Sequence, residues 1–341
     1  MKSYKNYFYS IIFIFLFFPS LTFSQDSGLF TIVLGEQGGY DQSNLSCYLI
    51  GKEGVDKMIC CDAGTISVGI EKALQKGNLE FLPLNLASDT TIVGQVILNH
   101  ISAYLISHPH IDHISGMLVT APVDNKKNIF LTGRTKNILL KNVFNWEVVA
   151  NFTDEGKDPI GRYVFKEMKF DKFYTDDRTG FQIRAFPLSH SNDYESSAFL
   201  ITDGLYYVLY IGDTGADRIE NSDNLSKIWN VVAPLVKDAS LRGIFIESSF
   251  SQGRRDNQLY GHLRPDLIVE ELSKLSKLAF GEKKIKEPLK GLKVVITHIK
   301  PQLIGVPLSK LRHQIYSELQ QKGSYLGCNF IIPVQGEFIQ F

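Results

Sequence analysis

The sequence predicts a layered α/β fold built as one domain. Short β-rich runs alternate with amphipathic stretches across the chain, and neither an internal repeat nor a Pro/Gly/Ser-rich linker interrupts them. Composition agrees: hydrophobic residues make up 44% and charged residues 21% of the 341, which is globular usage and excludes disordered, collagen-like and coiled-coil classes. Length alone would admit two domains. The unbroken alternation favours a single one over residues 25–341. The 36 Lys and Arg balance 36 Asp and Glu, so no net field gathers polyanions, and long nucleic acid is not an expected partner. Any anionic ligand must be held by local charges.

The elements follow in order. Lys2 and Lys5 precede an apolar run, residues 11–18, and then Pro19, Ser20 and the exit Thr22-Phe23-Ser24. That order is a secretory signal peptide, expected over residues 1–24, because eight apolar residues fall far short of the ~20 that cross a bilayer as a helix. The expectation is cleavage after Ser24, no membrane attachment afterwards, and export, to the periplasm if the cell is Gram-negative. Strands at 30–34, 46–50 and 57–61, separated by Gly38-Gly39 and the turn at 51–54, open the mature chain as an antiparallel meander. A helical pattern at 91–99, a strand at 103–107, a loop at 108–113 and a further helix come next. Later strands are expected at 181–186, 197–201, 206–211, 243–246, 293–296 and 329–334, with helices at about 224–232, 265–278 and 308–321. Residues 151–177 are the least regular and read as an insertion beside the site or a surface excursion. Cys47, Cys60, Cys61 and Cys328 are too few for a disulfide scaffold, and neighbouring Cys60 and Cys61 do not readily bridge each other; one disulfide stays open.

The histidines are the informative residues. Of eight, His108, His110 and His113 crowd into Ser107-His-Pro-His-Ile-Asp-His-Ile-Ser-Gly116 together with Asp112. Such a group repels itself on protonation and is costly to bury unless a cation neutralises it, so a bound divalent metal is the first reading and a solvated polar loop the alternative. Pro109 disfavours helix, so His108 and His110, two apart on extended backbone, point to one side and can share a metal. Asp112 and His113 follow where the chain turns into a helix and suit a second metal. The remaining ligands must come from elsewhere. His190, Asp213 and His298 each follow an expected apolar strand; singly each also reads as a loop residue, a turn former or a polar cap, but together they repeat the way α/β sheets gather distant residues at strand ends.

The His-x-His-x-Asp-His signature followed by isolated His, Asp and His resembles the metallo-β-lactamase superfamily. The resemblance implies an αββα four-layer sandwich with His108, His110 and His190 on one metal, Asp112, His113 and His298 on the other, and Asp213 bridging. Zn²⁺ is the first expectation for both ions, with Mn²⁺ or iron as alternatives that nitrogen and carboxylate ligands also suit. Asp62, in Cys61-Asp-Ala-Gly-Thr65, is similar to an early Asp-Gly element of the superfamily and either supports a ligand or closes a strand-end turn.

Narrower motifs point further. His108 through Pro122, Gly38-Gly39 through Leu49, Ser189-His190, Ile246-Glu-Ser-Ser-Phe250, Gly261-His-Leu263 and Thr297-His-Ile-Lys-Pro301 resemble, in order, the class II cyclic-nucleotide phosphodiesterases. Ile111 stands where Leu is usual and Ala121 where Ser is usual, and neither touches a ligand. Residues 146–152 hold no clear counterpart of that family's tryptophan-proline element. The resemblance implies hydrolysis of cAMP or cGMP to the 5′-nucleotide, with a hydroxide bridging two metals and positioned by Asp112 and Asp213. It also makes His262 an acid or phosphate binder and Glu247 its orienter, where the alternative is a strand-end cap and a helix-start residue. Other functions of the fold remain open: an RNA-end nuclease, a lactonase, a β-lactamase, or a metal- or nucleotide-binding protein without turnover. Lys300 meets phosphate or is solvated; no base-stacking residue stands out.

Overall fold

The computed structural model describes residues 28–191, 194–283 and 285–341. The expected signal peptide, residues 1–24, lies outside the described residues. In chain order the first half comprises β1 (Leu29–Gly35), β2 (Cys47–Lys52), β3 (Met58–Cys61), α1 (Ser67–Gln75), α2 (Ile92–Gln95), β4 (Ile101–Leu105), α3 (Ile111–Thr120), β5 (Lys127–Thr132), α4 (Gly133–Asn142) and β6 (Tyr163–Met168). The second comprises β7 (Tyr174–Thr175), β8 (Gln182–Ser189), β9 (Glu195–Thr202), β10 (Tyr207–Ile211), α5 (Asp217–Glu220), α6 (Asn224–Lys237), β11 (Leu241–Glu247), α7 (Pro265–Phe280), β12 (Lys293–Thr297), α8 (Leu308–Gly323), β13 (Asn329–Ile331) and β14 (Phe338–Gln340).

Two seven-stranded sheets result, ordered β14-β1-β2-β3-β4-β5-β6 and β13-β12-β11-β10-β9-β8-β7. Each runs antiparallel at first, through β1-β2-β3 or β7-β8-β9-β10, and then parallel, through β3-β4-β5-β6 or β10-β11-β12-β13. The topology therefore repeats although no repeat is visible in the residues. Because side chains alternate along a strand, central strands feed two cores at once. In β10, Val208 and Tyr210 join the cluster between the sheets, while Leu209 and Ile211 join the one beneath α6, α7 and α8. A third cluster lies between the first sheet and α1, α3 and α4. Three cores separate four layers: helix, sheet, sheet, helix.

The helices bury the faces their periodicity predicts. In α6, Leu225, Ile228, Trp229, Val232 and Ala233 are buried at helical spacing. The Asp217 carboxylate accepts from the Leu225 and Ser226 nitrogens at 3.0 and 2.8 Å, satisfying donors that the helix start leaves free. Helix α7 begins at Pro265, where a missing N–H costs nothing, and ends at Gly281 with φ 72°.

The structure also departs from the sequence expectations. Residues 151–177 are not a simple excursion: β6 lies within them and forms the edge of the first sheet, parallel to β5. Its buried positions Tyr163, Phe165 and Met168 lie among charged neighbours, which hides the alternation. Helices α1 and α4 were not expected. The helical pattern at 91–99 splits into α2 and a π-helical turn, Val96–His100. Helix α3 starts at Ile111, inside the loop expected at 108–113, so Asp112 and His113, expected where the chain turns into a helix, sit in its first turn. All four cysteines are free, although the Cys47 and Cys60 sulfurs stand 3.4 Å apart within the first half.

Candidate metal centre and active site

The residues singled out in the sequence converge just beyond the carboxyl ends of β3, β4, β8, β10, β11 and β12, where loops leave both sheets. Three overlapping groups of side chains place ligand atoms within 4.8 Å of one another: His108, His110, His190 and Asp213; beside them Asp112, His113 and His298; and Asp213, His262 and His298. Asp213 is the hub. Its Oδ2 lies 3.4 and 3.3 Å from Nε2 of His113 and His298, and 3.8 and 3.9 Å from Nε2 of His108 and His190. Asp213, read from the sequence as a shared carboxylate, stands between the two histidine groups.

Each ring is aimed by a partner on its other nitrogen. His113 Nδ1 donates to Asp62 Oδ2 at 2.7 Å, and His190 Nδ1 donates to the Gly261 carbonyl at 2.8 Å. His108 Nδ1 faces Ser107 Oγ at 3.0 Å, and Ser107 Oγ donates to Asp62 Oδ2 at 2.8 Å. His298 Nδ1 faces Ser249 Oγ at 2.9 Å, and Ser249 Oγ donates to Glu247 Oε2 at 2.6 Å. In all four the Nε2 atom faces the Asp213 carboxylate, with His108 Nε2 also 3.0 Å from His110 Nδ1 and His298 Nε2 3.2 Å from Asp112 Oδ2, the arrangement by which a support fixes tautomer and ring direction for a metal. His110 is held differently: its ring stacks on Tyr194 with centroids 4.8 Å apart and planes 14° apart.

Chain geometry explains how the rings come so close. His298 takes a left-handed backbone, φ 56°, and its ring leans on Gly38, where a Cβ would stand 2.2 Å from ring atoms. The adjoining Gly39 N–H donates to Asp112 Oδ2 at 3.0 Å. Pairing of Glu247 with Thr297 across β11 and β12 brings Glu247 and His298 to the same sheet end.

A divalent cation fits this donor set. His113 Nε2, 1% exposed, is a buried nitrogen with no hydrogen-bond partner, and it points at the Asp213 carboxylate without bonding it. Burial, reinforced by neighbouring imidazoles, holds His108 and His190 below the ordinary histidine pKa and brings His110 down to about 4, so these rings are neutral and ready to ligate. Burial opposes ionisation of Asp213, yet His298 and His113 hold its carboxyl well below the usual carboxylate range.

His262 and Glu247 form a separate pair on the wall. His262 Nδ1 lies 3.0 and 3.1 Å from the two Glu247 oxygens, and its Nε2 lies 2.8 Å from Lys300 Nζ. Glu247 also accepts from the Thr214 nitrogen at 2.9 Å. Burial works against a charged His262, but Glu247 and then Asp213 outweigh it and its pKa stands above the ordinary value. His262 also groups with Asp213 and His298 within ligand distance. Both of its nitrogens are engaged, however, by Glu247 and Lys300. A hollow of about 490 Å³ covers the centre, lined among others by His110, Tyr194, Tyr260, His262 and Lys300, a size suited to a small molecule. Residues 146–152 do not line it.

The sequence alone does not single out Ser107, Ser249, Tyr194 or Tyr210, whose hydroxyl donates to Asp62 Oδ2 at 2.7 Å. Ser107 adjoins His108 and Ser249 lies two residues after Glu247 in the motif runs, which is a signal that could have been used; nothing marks the tyrosines. His100 is apart from the site, its Nδ1 bonded to the Asp56 carbonyl at 2.8 Å.

The family model of class-II cAMP phosphodiesterases matches residues 23–336. A 3′,5′-cyclic-nucleotide phosphodiesterase of Aliivibrio fischeri is 36% identical over 323 residues, covering 94% of this chain and 95% of that protein. The crystal structure of unliganded yeast PDE1 superposes with a TM-score of 0.78 at 22% identity, over 92% of this chain and 99% of that one. The metallo-β-lactamase fold protein YhfI from Bacillus subtilis superposes with a TM-score of 0.56 at 16% identity, over 92% and 99% of the two chains. The four layers are thus those of the metallo-β-lactamase fold.

Proposed function

The chain belongs to the family of class-II cAMP phosphodiesterases, and from that premise we propose that it hydrolyses 3′,5′-cyclic nucleotides, cAMP or cGMP, to 5′-monophosphates at a centre of two divalent metals. The observation that carries this reading is a hollow lined by His110, His190 and Asp213 of one ligand group and Asp112 of the other, with Lys300 and His262, the latter backed by Glu247, on its wall. His108, His110 and His190 would hold one ion and Asp112, His113 and His298 the other, Asp213 serving both; Zn²⁺ suits such a mixture of imidazole and carboxylate ligands. When bound, the ions supply Lewis acidity toward the phosphate and a nucleophilic water at neutral pH.

The chain's own residues do the rest. Lys300 Nζ, a point charge at the rim, binds a non-bridging phosphate oxygen. Asp112 and Asp213 orient the attacking water, which forms a bond to phosphorus as the P–O3′ bond breaks. Once Lys300 Nζ, 2.8 Å from His262 Nε2, leaves that nitrogen for the phosphate, Glu247 holds a protonated His262 through Nδ1 and the freed Nε2 presents its proton to the departing 3′-oxygen. A second reading makes His262 a ligand, favoured by its grouping with Asp213 and His298; metal content of His262→Ala separates the two.

We infer also that residues 1–24 are a signal peptide, that residues 25–341 form the catalytic domain, and that the protein acts after export. Lys2, Lys5 and the apolar run 11–18 support this, and the intact mass of the protein from native cells tests it: retention of Phe18 contradicts it. The substrate reading is tested with cAMP, cGMP, a 2′,3′-cyclic nucleotide, a β-lactam, a lactone and an RNA end. Preference for either 3′,5′-cyclic nucleotide supports it, and preference for any other substrate refutes it.

A further inference from the structure

A second cleft of about 650 Å³ adjoins the hollow over the candidate metal ligands, and Ser191 and Tyr260 line both. A strained turn forms the border. Tyr260 takes a left-handed backbone, φ 51°, and Gly261 follows at φ 77°, so close to the chain opposite that a Cβ there would stand 2.2 Å from the Ser191 nitrogen. The turn serves two visible ends: the Gly261 carbonyl holds His190, and His262 enters the site. A third effect has no use in the metal centre. The Tyr260 ring is thrust outward, 66% exposed, with no ring or cation contact among the described residues.

Tyr194, the other tyrosine at the hollow, is already engaged. It stacks on His110, and the Arg134 guanidinium lies 5.7 Å from its centroid. Tyr260 alone of the two offers a free aromatic face.

The charges of the second cleft say what class of group it takes. No Lys or Arg lines it, while Glu220 does, so the lining offers an anion no attraction. A metal is no better served, because Arg218 and Arg264 hold Asp256 at 2.9 and 2.8 Å. What remains is the side-chain amides of Asn221 and Asn257, both exposed and without a hydrogen-bond partner among the described residues. Each offers a donor and an acceptor. A flat, neutral, polar-edged ring meets all these conditions.

We propose that this cleft is the nucleobase subsite: with the phosphate over the metal ligands, the base stacks on Tyr260 and turns its polar edge to Asn221 and Asn257. The proposal rests on the cyclic-nucleotide reading and adds to it the residues that select the base. Stacking on one aromatic ring tolerates any base, whereas the amides distinguish one edge from another.

The test compares kcat/KM of the metal-loaded full chain for cAMP, cGMP and methyl riboside 3′,5′-cyclic phosphate, which lacks a base. Tyr260→Ala should shrink the preference for nucleotide over the base-free diester by about 5- to 150-fold, mostly through KM, and Tyr260→Phe should restore it. Asn257→Ala should change the ratio of cAMP to cGMP turnover. If Tyr260→Ala lowers all three substrates alike, or leaves the preference as it was, the subsite is wrong; an unchanged ratio in Asn257→Ala removes the edge contact. A wild-type chain that cleaves the base-free diester but neither nucleotide overturns the function reading instead, before any variant is considered.

Discussion

Asp62→Asn removes one charge and almost no volume, and its cost can be worked out from the bonds the carboxylate makes. Asp62 is fully buried at the end of β3 with a left-handed backbone, φ 52°, a conformation that Asn tolerates, so the variant should fold. Its Oδ1 accepts from the Ser107 nitrogen at 2.8 Å; its Oδ2 accepts from Ser107 Oγ at 2.8 Å, Tyr210 OH at 2.7 Å and His113 Nδ1 at 2.7 Å. An amide in this place must aim its NH₂ at donors whichever way it turns. The cheaper orientation keeps an oxygen for the three donors at Oδ2 and sets NH₂ against the Ser107 N–H, leaving a buried donor unpaired at about 1–3 kcal/mol. His113 also loses the full charge that holds its Nδ1–H and with it part of its basicity toward a metal. Support residues of this kind are worth about 10- to 100-fold in metal affinity, and at about 1.4 kcal/mol per factor of ten the two estimates coincide. Competition against a chromophoric chelator gives the affinity, and urea midpoints with and without zinc give the stability. Zinc affinity within twofold of the wild type would refute the claim that Asp62 aims His113, and unchanged metal-free stability would refute its place as a fully bonded buried carboxylate.

Three further outcomes are expected from the same geometry. His262→Ala should keep its metal while kcat on a 3′,5′-cyclic nucleotide falls by roughly 10²- to 10⁴-fold, whereas His298→Ala should lose metal; elemental analysis and turnover distinguish them, and metal loss in both would make His262 a ligand. Gly38→Ala places a Cβ 2.2 Å from the His298 ring, which must withdraw by about 1 Å, and activity should fall by about 10²-fold, a result that unchanged turnover would contradict. In the metal-free chain the His110 imidazole should titrate at about 4 by NMR, because burial and then His190 disfavour its charge. The unfolded chain binds that proton from about pH 6.5 downward while the folded one does not, so this group lowers metal-free stability as pH falls through that window. Titration of His110 near 6.5 would show the ring to be solvated.

Much of this was legible in the residues because the signals were local. His108 to His113 announce a cation by crowding alone, and His190, Asp213 and His298 each stand beyond an apolar run long enough to read as a strand. Strand β6 was not legible, since charges at Lys166 and Glu167 break its alternation. Helices α1 and α4 carry modest apolar faces, with three and two buried residues, and the sequence around them gives no sharp period. Relays such as His298 to Ser249 to Glu247 span β11 and β12, so only the tertiary fold assembles them. The free face of Tyr260 is likewise a property of a strained turn, and among 15 tyrosines no composition argument selects it.

The central claim is a two-metal centre that opens the 3′-side of a cyclic phosphate. Titration of the chelator-treated chain with zinc, following cyclic-nucleotide turnover and the position of the product phosphate by chromatography, addresses it directly. The account predicts that activity climbs to a plateau at two ions per chain with 5′-monophosphate as the product. A plateau at one ion, or release of the 3′-monophosphate, would contradict it.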